Sequence, residues 1–381
     1  MQSNPQDTAE PFKVARLGQA VALACLLTGV AGTAHAGATV NLGDQRSVTI
    51  GAGLRTSYSS IEDAAPSGTN RSSDFNVDSA RLFITGSLNK YVKAYFNTEK
   101  DANDNIKVLD AFGEVQFMPE FNIAMGRTIV PSDRANLSGT YYMPSYEFAS
   151  TASQYYSKFA SRDDGAVVWG KLFNKKLVYS AGAFNGRNKD LTNTSNQSDS
   201  LMFAGRLAFN FLDPEPAPSY FTGSTYYGAA DILTVAINGM SQKDGVGNAS
   251  IRDGYNAYGA DLLFEKKLGV GVFTLEGAYS KYSFSTAAAT ADVSGGVAPG
   301  KGMLGGLAYL FPQVVGWGKF QPFYRYQKFD ADAGSDTTRN DFGMNYVING
   351  DSTKINFTYR TLEEPGKSKK DGFLVGLQLM F

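Results

Sequence analysis

The chain has one cysteine and one histidine in 381 residues, and both, Cys25 and His35, fall in the first 36. Net charge is also nearly absent: 35 Lys and Arg stand against 36 Asp and Glu. After the N-terminal segment no apolar run is long enough for a membrane helix, which needs about 18 or more such residues. Each absence excludes something. Without paired cysteines there is no disulfide framework, and without His or Cys there are none of the usual zinc or copper ligands. Without histidine there is no Ser–His–Asp or Cys–His catalysis, so no enzyme of those types is expected and no cofactor is implied. Balanced charge argues against a nucleic-acid partner.

The first 36 residues read as a leader. Lys13 and Arg16 precede an apolar stretch over 17–30, and Thr33-Ala-His-Ala36 closes it. A basic start, a short apolar core and Ala-x-Ala predict a secretory signal peptide over 1–36, cleaved after Ala36. Residues 37–381 then form one exported domain that keeps neither Cys nor His.

Beyond the leader the dominant signal is a period of two. Phe373, Val375, Leu377, Leu379 and Phe381 form one apolar series; Ile355, Phe357 and Tyr359 alternate with Lys354, Asn356, Thr358 and Arg360. Phe203, Leu207, Phe209 and Phe211 lie opposite Arg206 and Asn210, and Val92, Ala94 and Phe96 oppose Lys93, Tyr95, Asn97 and Glu99. Such alternation in aromatic and β-branched residues predicts strands buried on one side. Connections alternate between tight turns, as at Asn349-Gly350, and longer polar segments, as over 60–72, 130–163, 187–199, 242–251, 286–300, 331–337 and 364–371. The Pro-rich 213–218 reads as a stiff join on the short side, followed by a strand over 223–240. The fold class expected is all-β: a transmembrane antiparallel β-barrel of about 16 strands with a long third loop folded into the lumen.

A soluble sandwich would also alternate. Two features favour the barrel. Long charged side chains stand mid-strand on the polar faces (Arg81, Lys93, Arg206, Arg325, Lys354, Arg360), where a wet lumen tolerates them. The final amphipathic strand finishes in Phe381, which resembles the C-terminal signal by which outer-membrane barrels are recognised for assembly.

Particular stretches carry a family likeness. Ala80-Arg-Leu-Phe-Ile-Thr-Gly-Ser-Leu88, Val92-Lys-Ala-Tyr-Phe-Asn-Thr-Glu99, Asp110-Ala-Phe-Gly-Glu-Val-Gln-Phe117, Met125-Gly-Arg127 and Ala181-Gly-Ala-Phe-Asn-Gly-Arg187 together resemble the phosphate-selective porin O and P family. The resemblance implies a 16-stranded, trimeric channel with an inward-folded third loop. It also implies phosphate channels lined by many arginines and lysines. This near-neutral chain shows no such basic ladder, so phosphate selectivity is not carried over.

Segment 130–163 is the longest connection. It holds Asp133, Arg134, Glu147, Lys158, Arg162 and Asp163 among seven aromatic residues. Folded inward it would narrow the pore and set charges of both signs at the constriction, here expected to involve Asp133, Arg134, Glu147, Lys158 and Arg162. The facing wall is expected to carry Arg81, Lys93, Arg127, Arg206, Arg325, Lys354 and Arg360, opposed by Glu99, Glu114, Glu276 and Asp341. Strict alternation from Phe121, Ile123 and Met125 would turn Arg127 outward. For each wall charge, solvation or an internal ion pair competes with a specific binding site.

The sequence thus predicts a porin of the Gram-negative outer membrane, passing small hydrophilic solutes and ions by diffusion. Its expected partners are outer-membrane lipid and lipopolysaccharide, the barrel-assembly machinery and two further copies of itself. A substrate-specific anion channel is the nearest alternative, and an adhesin or a carboxylate enzyme the more distant ones.

Overall fold

In a computed structural model of the protein, the described residues are 37–381 apart from 101–103, 155–160, 189–194, 294, 295 and 335. The expected leader and Lys158 lie outside them. Seventeen strands are present: β1 (Ala38–Gly43), β2 (Arg46–Ile61), β3 (Asp74–Ser87), β4 (Val92–Lys100), β5 (Ile106–Met118), β6 (Phe121–Ile129), β7 (Arg162–Leu172), β8 (Leu177–Phe184) and β9 (Met202–Asn210). The second half holds β10 (Ile232–Gly247), β11 (Arg252–Lys267), β12 (Val272–Ser283), β13 (Gly300–Leu310), β14 (Lys319–Ala331), β15 (Asp336–Asn349), β16 (Thr353–Glu363) and β17 (Lys370–Met380). Among the described residues two single-turn helices, α1 (Arg134–Ser138) and α2 (Thr286–Thr290), sit in long connections.

From β2 to β17 each strand pairs antiparallel with the next, and β17 pairs back on β2 from Gly372↔Ile61 to Met380↔Gly53. The ring of sixteen is closed, so no interior strand leaves backbone groups unpaired. The short β1 was not foreseen. It pairs with Arg46–Ile50, the stretch of β2 that runs on past the end of β17. The two therefore share one edge of β2, end to end.

Alternation sorts the side chains as the period requires. On β16, Lys354 and Asn356 are buried while Phe357 and Tyr359 are exposed. On β9, Arg206 and Asn210 are buried while Phe203, Leu207 and Phe209 are exposed. An exterior of aromatic and aliphatic side chains around a polar interior is what a barrel in lipid requires, and the reverse of a water-soluble barrel. Short turns close one end; that between β15 and β16 uses Gly350 at φ 51°, a left-handed conformation glycine adopts at little cost.

Two expectations need correction. Residues 242–247 belong to β10, not to a loop, and the connection to β11 is only 248–251. The strand expected over 223–240 begins at Ile232. Residues 211–231 form a long, aromatic-rich connection on the side where the other joins are short. Proline at 214, 216 and 218 denies this stretch ladder donors, and its polar groups find partners on the wall instead.

Candidate functional site: the inner wall and two connections against it

Segment 130–154 touches the inner faces of strands around much of the ring. Its first anchor is α1. Asp133 caps the helix by accepting from the Asn136 amide at 2.9 Å, and burial pushes its carboxyl up to about 6. Arg134, wholly buried, donates through Nε to Asp261 of β11 at 3.3 Å and through Nη2 to Glu215 at 2.7 Å. Arg206 of β9 also pairs with Asp261. The second anchor is aromatic. Tyr146 lies 3.9 Å from the Arg55 guanidinium of β2, and its hydroxyl donates to Asp78 at 2.8 Å. Tyr141 stacks under Arg81 of β3 at 4.8 Å. Lys354 donates to the Met143 carbonyl at 2.8 Å, and Gln378 to that of Tyr141 at 3.0 Å.

The third anchor is Glu147. It accepts from Arg360 of β16 at 2.6 Å and also pairs with Arg339 of β15. Burial alone would raise its carboxyl, but the two guanidinium charges outweigh that and hold it at about 2. Arg339 and Arg325 share Asp341 at 2.8 Å each. Wall glycines show how close the segment lies: a Cβ on Gly302 would stand 1.9 Å from the Ala152 carbonyl, and one on Gly376 would stand 2.4 Å from the Tyr146 ring.

The second connection, 211–231, meets the same wall and the first segment. Glu215 bonds Arg134 and accepts from the Tyr226 hydroxyl at 2.6 Å; against burial, Arg134 keeps its carboxyl low. The Ser224 amide donates to the Tyr142 carbonyl at 2.8 Å. Glu265 of β11 takes the amides of Tyr226 and Gly228 and the Thr225 hydroxyl. Sequence reasoning missed this element. The signal available was Pro-rich 213–218 followed by Tyr220, Phe221, Tyr226 and Tyr227, the same aromatic excess that marked 130–163.

The structure places the remaining expected residues as follows. Arg81 pairs with Glu99 at 3.0 Å, each side chain about one-fifth exposed. Arg162 pairs with Asp110 at 2.9 Å. Arg206, Arg325, Lys354 and Arg360 all stand on the inner face, tied to acids or carbonyls. Arg127 does not join them: it shares parity with the exposed Met125, and it pairs with exposed Asp164 at 3.2 Å. Lys93 is inward on β4, half-buried, and forms no ion pair among the described residues. Phe381 extends the ladder, exchanging bonds with Ala52. Among the described residues no cluster of acids could hold a metal ion.

Cover is uneven. From β9 to β11 and from β14 to β17 most inner-face residues are buried under the two connections, whereas on β3 and β4 Arg81, Phe83, Thr85, Lys93, Tyr95, Asn97 and Glu99 stay half-exposed. A sixteen-strand ring, apolar outside and charged within, with part of its inner wall left open, defines a channel of the bacterial outer membrane. The sequence matches the family of phosphate-selective porins O and P over residues 48–381, and the chain belongs to that family. No curated protein matches it. Among solved structures it is similar to an anion-selective porin from Comamonas acidovorans, at 15% identity and TM-score 0.59, covering 88% of this chain and 100% of that one. It is also similar to a loop-deletion form of OmpT, an outer membrane protein of Vibrio cholerae (13% identity, TM-score 0.58, 89% and 100% covered). OprB of Pseudomonas putida matches at 7% identity and TM-score 0.59, with 89% and 94% covered. These likenesses concern the fold. The porin family and the barrel place the protein in the Gram-negative outer membrane as a channel.

Proposed function

We propose that the protein is a passive diffusion channel in which segment 130–154, folded into the bore, forms the constriction and the half-exposed wall of β3 and β4, with Phe112 of β5, is the conducting surface. The observation that carries this is the unequal cover of the inner face. The charges under the two connections are taken up by ion pairs or by hydrogen bonds to hydroxyls, amides and carbonyls, so solute meets mainly the half-exposed groups of the open strip. No covalent step is needed; the buried wall acids Asp261 and Asp341 are each held by two arginines. The leader over 1–36, recognition of Phe381 by the assembly machinery, contact with lipopolysaccharide and assembly as a homotrimer complete the proposal. A trimer form is described for the OmpT neighbour.

A second reading, anion preference, draws on Lys93, a half-exposed inward cation with no ion pair among the described residues. The Comamonas neighbour is an anion-selective porin. Planar-bilayer recording of refolded protein tests both. Discrete ohmic steps are expected, with a reversal potential in a salt gradient displaced towards chloride and displaced back by Lys93→Gln. Folded protein without conductance would overturn the channel. Competition of the chloride current by micromolar phosphate would move the reading to a specific phosphate channel.

A further inference from the structure

The open strip is ordered in rows, because the register of three strands sets inner-face residues side by side. Thr85 of β3, Tyr95 of β4 and Phe112 of β5 form one row; Phe83, Asn97 and Asp110 form the next. Lys93 lies one row from Tyr95 on the other side, opposite Glu114. Rows are separated by two residues of strand, roughly 6.8 Å.

Tyr95 and Phe112 stack on each other, centroids 4.6 Å apart and planes 18° from parallel. Their faces are thereby partly used, and ring edges remain for a solute; aromatic edges carry partial positive charge and take another ring's face or an anion. The Tyr95 hydroxyl is not free to recognise sugar hydroxyls, since it donates to Glu114 at 3.1 Å. Glu114 is committed too, accepting from Trp169 Nε1 and from Gln116 Nε2 at 2.7 Å each. It therefore leaves the neighbouring Lys93 ammonium without an ion pair among the described residues. The strip thus offers one cation without an ion pair among the described residues, a single row from an aromatic pair, with Phe83 beyond.

We propose that Lys93, Tyr95, Phe112 and Phe83 form a solute site for small aromatic carboxylates, the carboxylate on the Lys93 ammonium and the ring against the Tyr95–Phe112 edges. The site rests on the reading of β3–β5 as the conducting wall. It makes the channel selective by shape as well as charge: a single-ring acid spans the distance between the two rows, acetate reaches only the cation, and a neutral ring reaches only the aromatics.

The test is single-channel recording of the full protein in chloride, with benzoate, acetate, benzyl alcohol and glucose added separately. Benzoate is expected to block the chloride current at about tenfold lower concentration than acetate or benzyl alcohol, the size an aromatic contact plus a charge supplies. Lys93→Gln should lose most of that block. Phe112→Leu, which keeps an apolar side chain in the row, should bring benzoate down to the level of acetate, each block being measured against that variant's own chloride current. Equal block by benzoate and acetate, or stronger block by glucose, overturns the site yet leaves ohmic conductance, and with it the channel, intact. Should Phe112→Leu fail to fold, as judged by heat-modifiable mobility, Tyr95→Phe serves: it frees Glu114 to pair with Lys93, and benzoate block should weaken. Unchanged block in that variant counts against the site.

Discussion

Between β9 and β11, and again from β14 to β17, the inner wall carries Arg206, Asp261, Arg325, Arg339, Asp341 and Lys354, all buried, and the part-buried Arg360, all tied to acids or to the two connections. Across β3 and β4 the wall carries Arg81, Lys93 and Glu99, half-exposed. The residue types are alike; only cover differs. Under cover a charge is structural, because desolvation makes its partner obligatory. In the open strip the same charge is screened by water, contributes little to stability, and acts on whatever passes. Charge composition alone therefore says nothing about selectivity in this barrel.

That contrast is breakable, most forcefully at Asp261. Among the described residues it alone neutralises Arg206, and it shares Arg134 with Glu215; Asp261, Arg206 and Arg134 are all buried. Asp261→Ala strands buried guanidinium charge and is expected to cost about 3–5 kcal/mol. Urea unfolding of the refolded barrel measures it, and a loss below 1 kcal/mol would mean the pair is not desolvated. Next in size is Gly302→Val. The Ala152 carbonyl stands where a Cβ would go, so the segment must retreat from β13. A cost of about 1–3 kcal/mol is expected from overpacking, together with a changed single-channel conductance. Unaltered conductance would show that the segment does not set the constriction.

How far the sequence carried the argument follows from the same division. The ring was legible because a period of two survives in every strand and because lipid demands apolar residues outward, as at Phe357 and Leu377. Which charges are free was not legible. Arg360 and Arg81 look alike in the chain, and only the path of 130–154 decides that Glu147 reaches the first. Segment 211–231 was missed because prolines and glycines mark a join without saying that it folds back onto a wall. The strand assigned to its second half followed Tyr226 and Tyr227, whose partners turned out to be Glu215 and Asp351. Parity from Met125 set Arg127 apart from the other wall cations, and the structure pairs it with the exposed Asp164.

Acid sharpens the comparison at intermediate size. The Glu147 carboxyl, held at about 2 in the folded chain against an ordinary 4.5, contributes stability that is complete above about 4.5 and is lost as pH falls through about 2. Release of the segment from Arg339 and Arg360 is thus expected only towards pH 2, seen as a rise in current noise. Glu147→Gln should show the same noise at pH 7. Noise that sets in near pH 4.5 in the parent would mean that the two arginines do not hold the carboxylate.

The smallest effect belongs to the open strip and is the most informative about permeation. Arg81 and Glu99 pair with both side chains about one-fifth exposed, so Glu99→Gln is expected to change unfolding stability by less than about 1 kcal/mol. Its charge, however, faces the path that Lys93 also faces. Removing a negative charge about 10 Å from the path relieves about 0.4 kcal/mol of repulsion for chloride in water and removes about the same attraction for potassium, together about a fourfold gain in chloride over potassium permeability. The same substitution applied to a covered acid such as Asp341 should do the opposite, lowering stability and leaving the permeability ratio nearly unchanged. If Glu99→Gln destabilises as strongly as a covered acid does, or leaves the reversal potential where it was, the strip is not the surface that solutes see, and the distinction between covered and open wall fails with it.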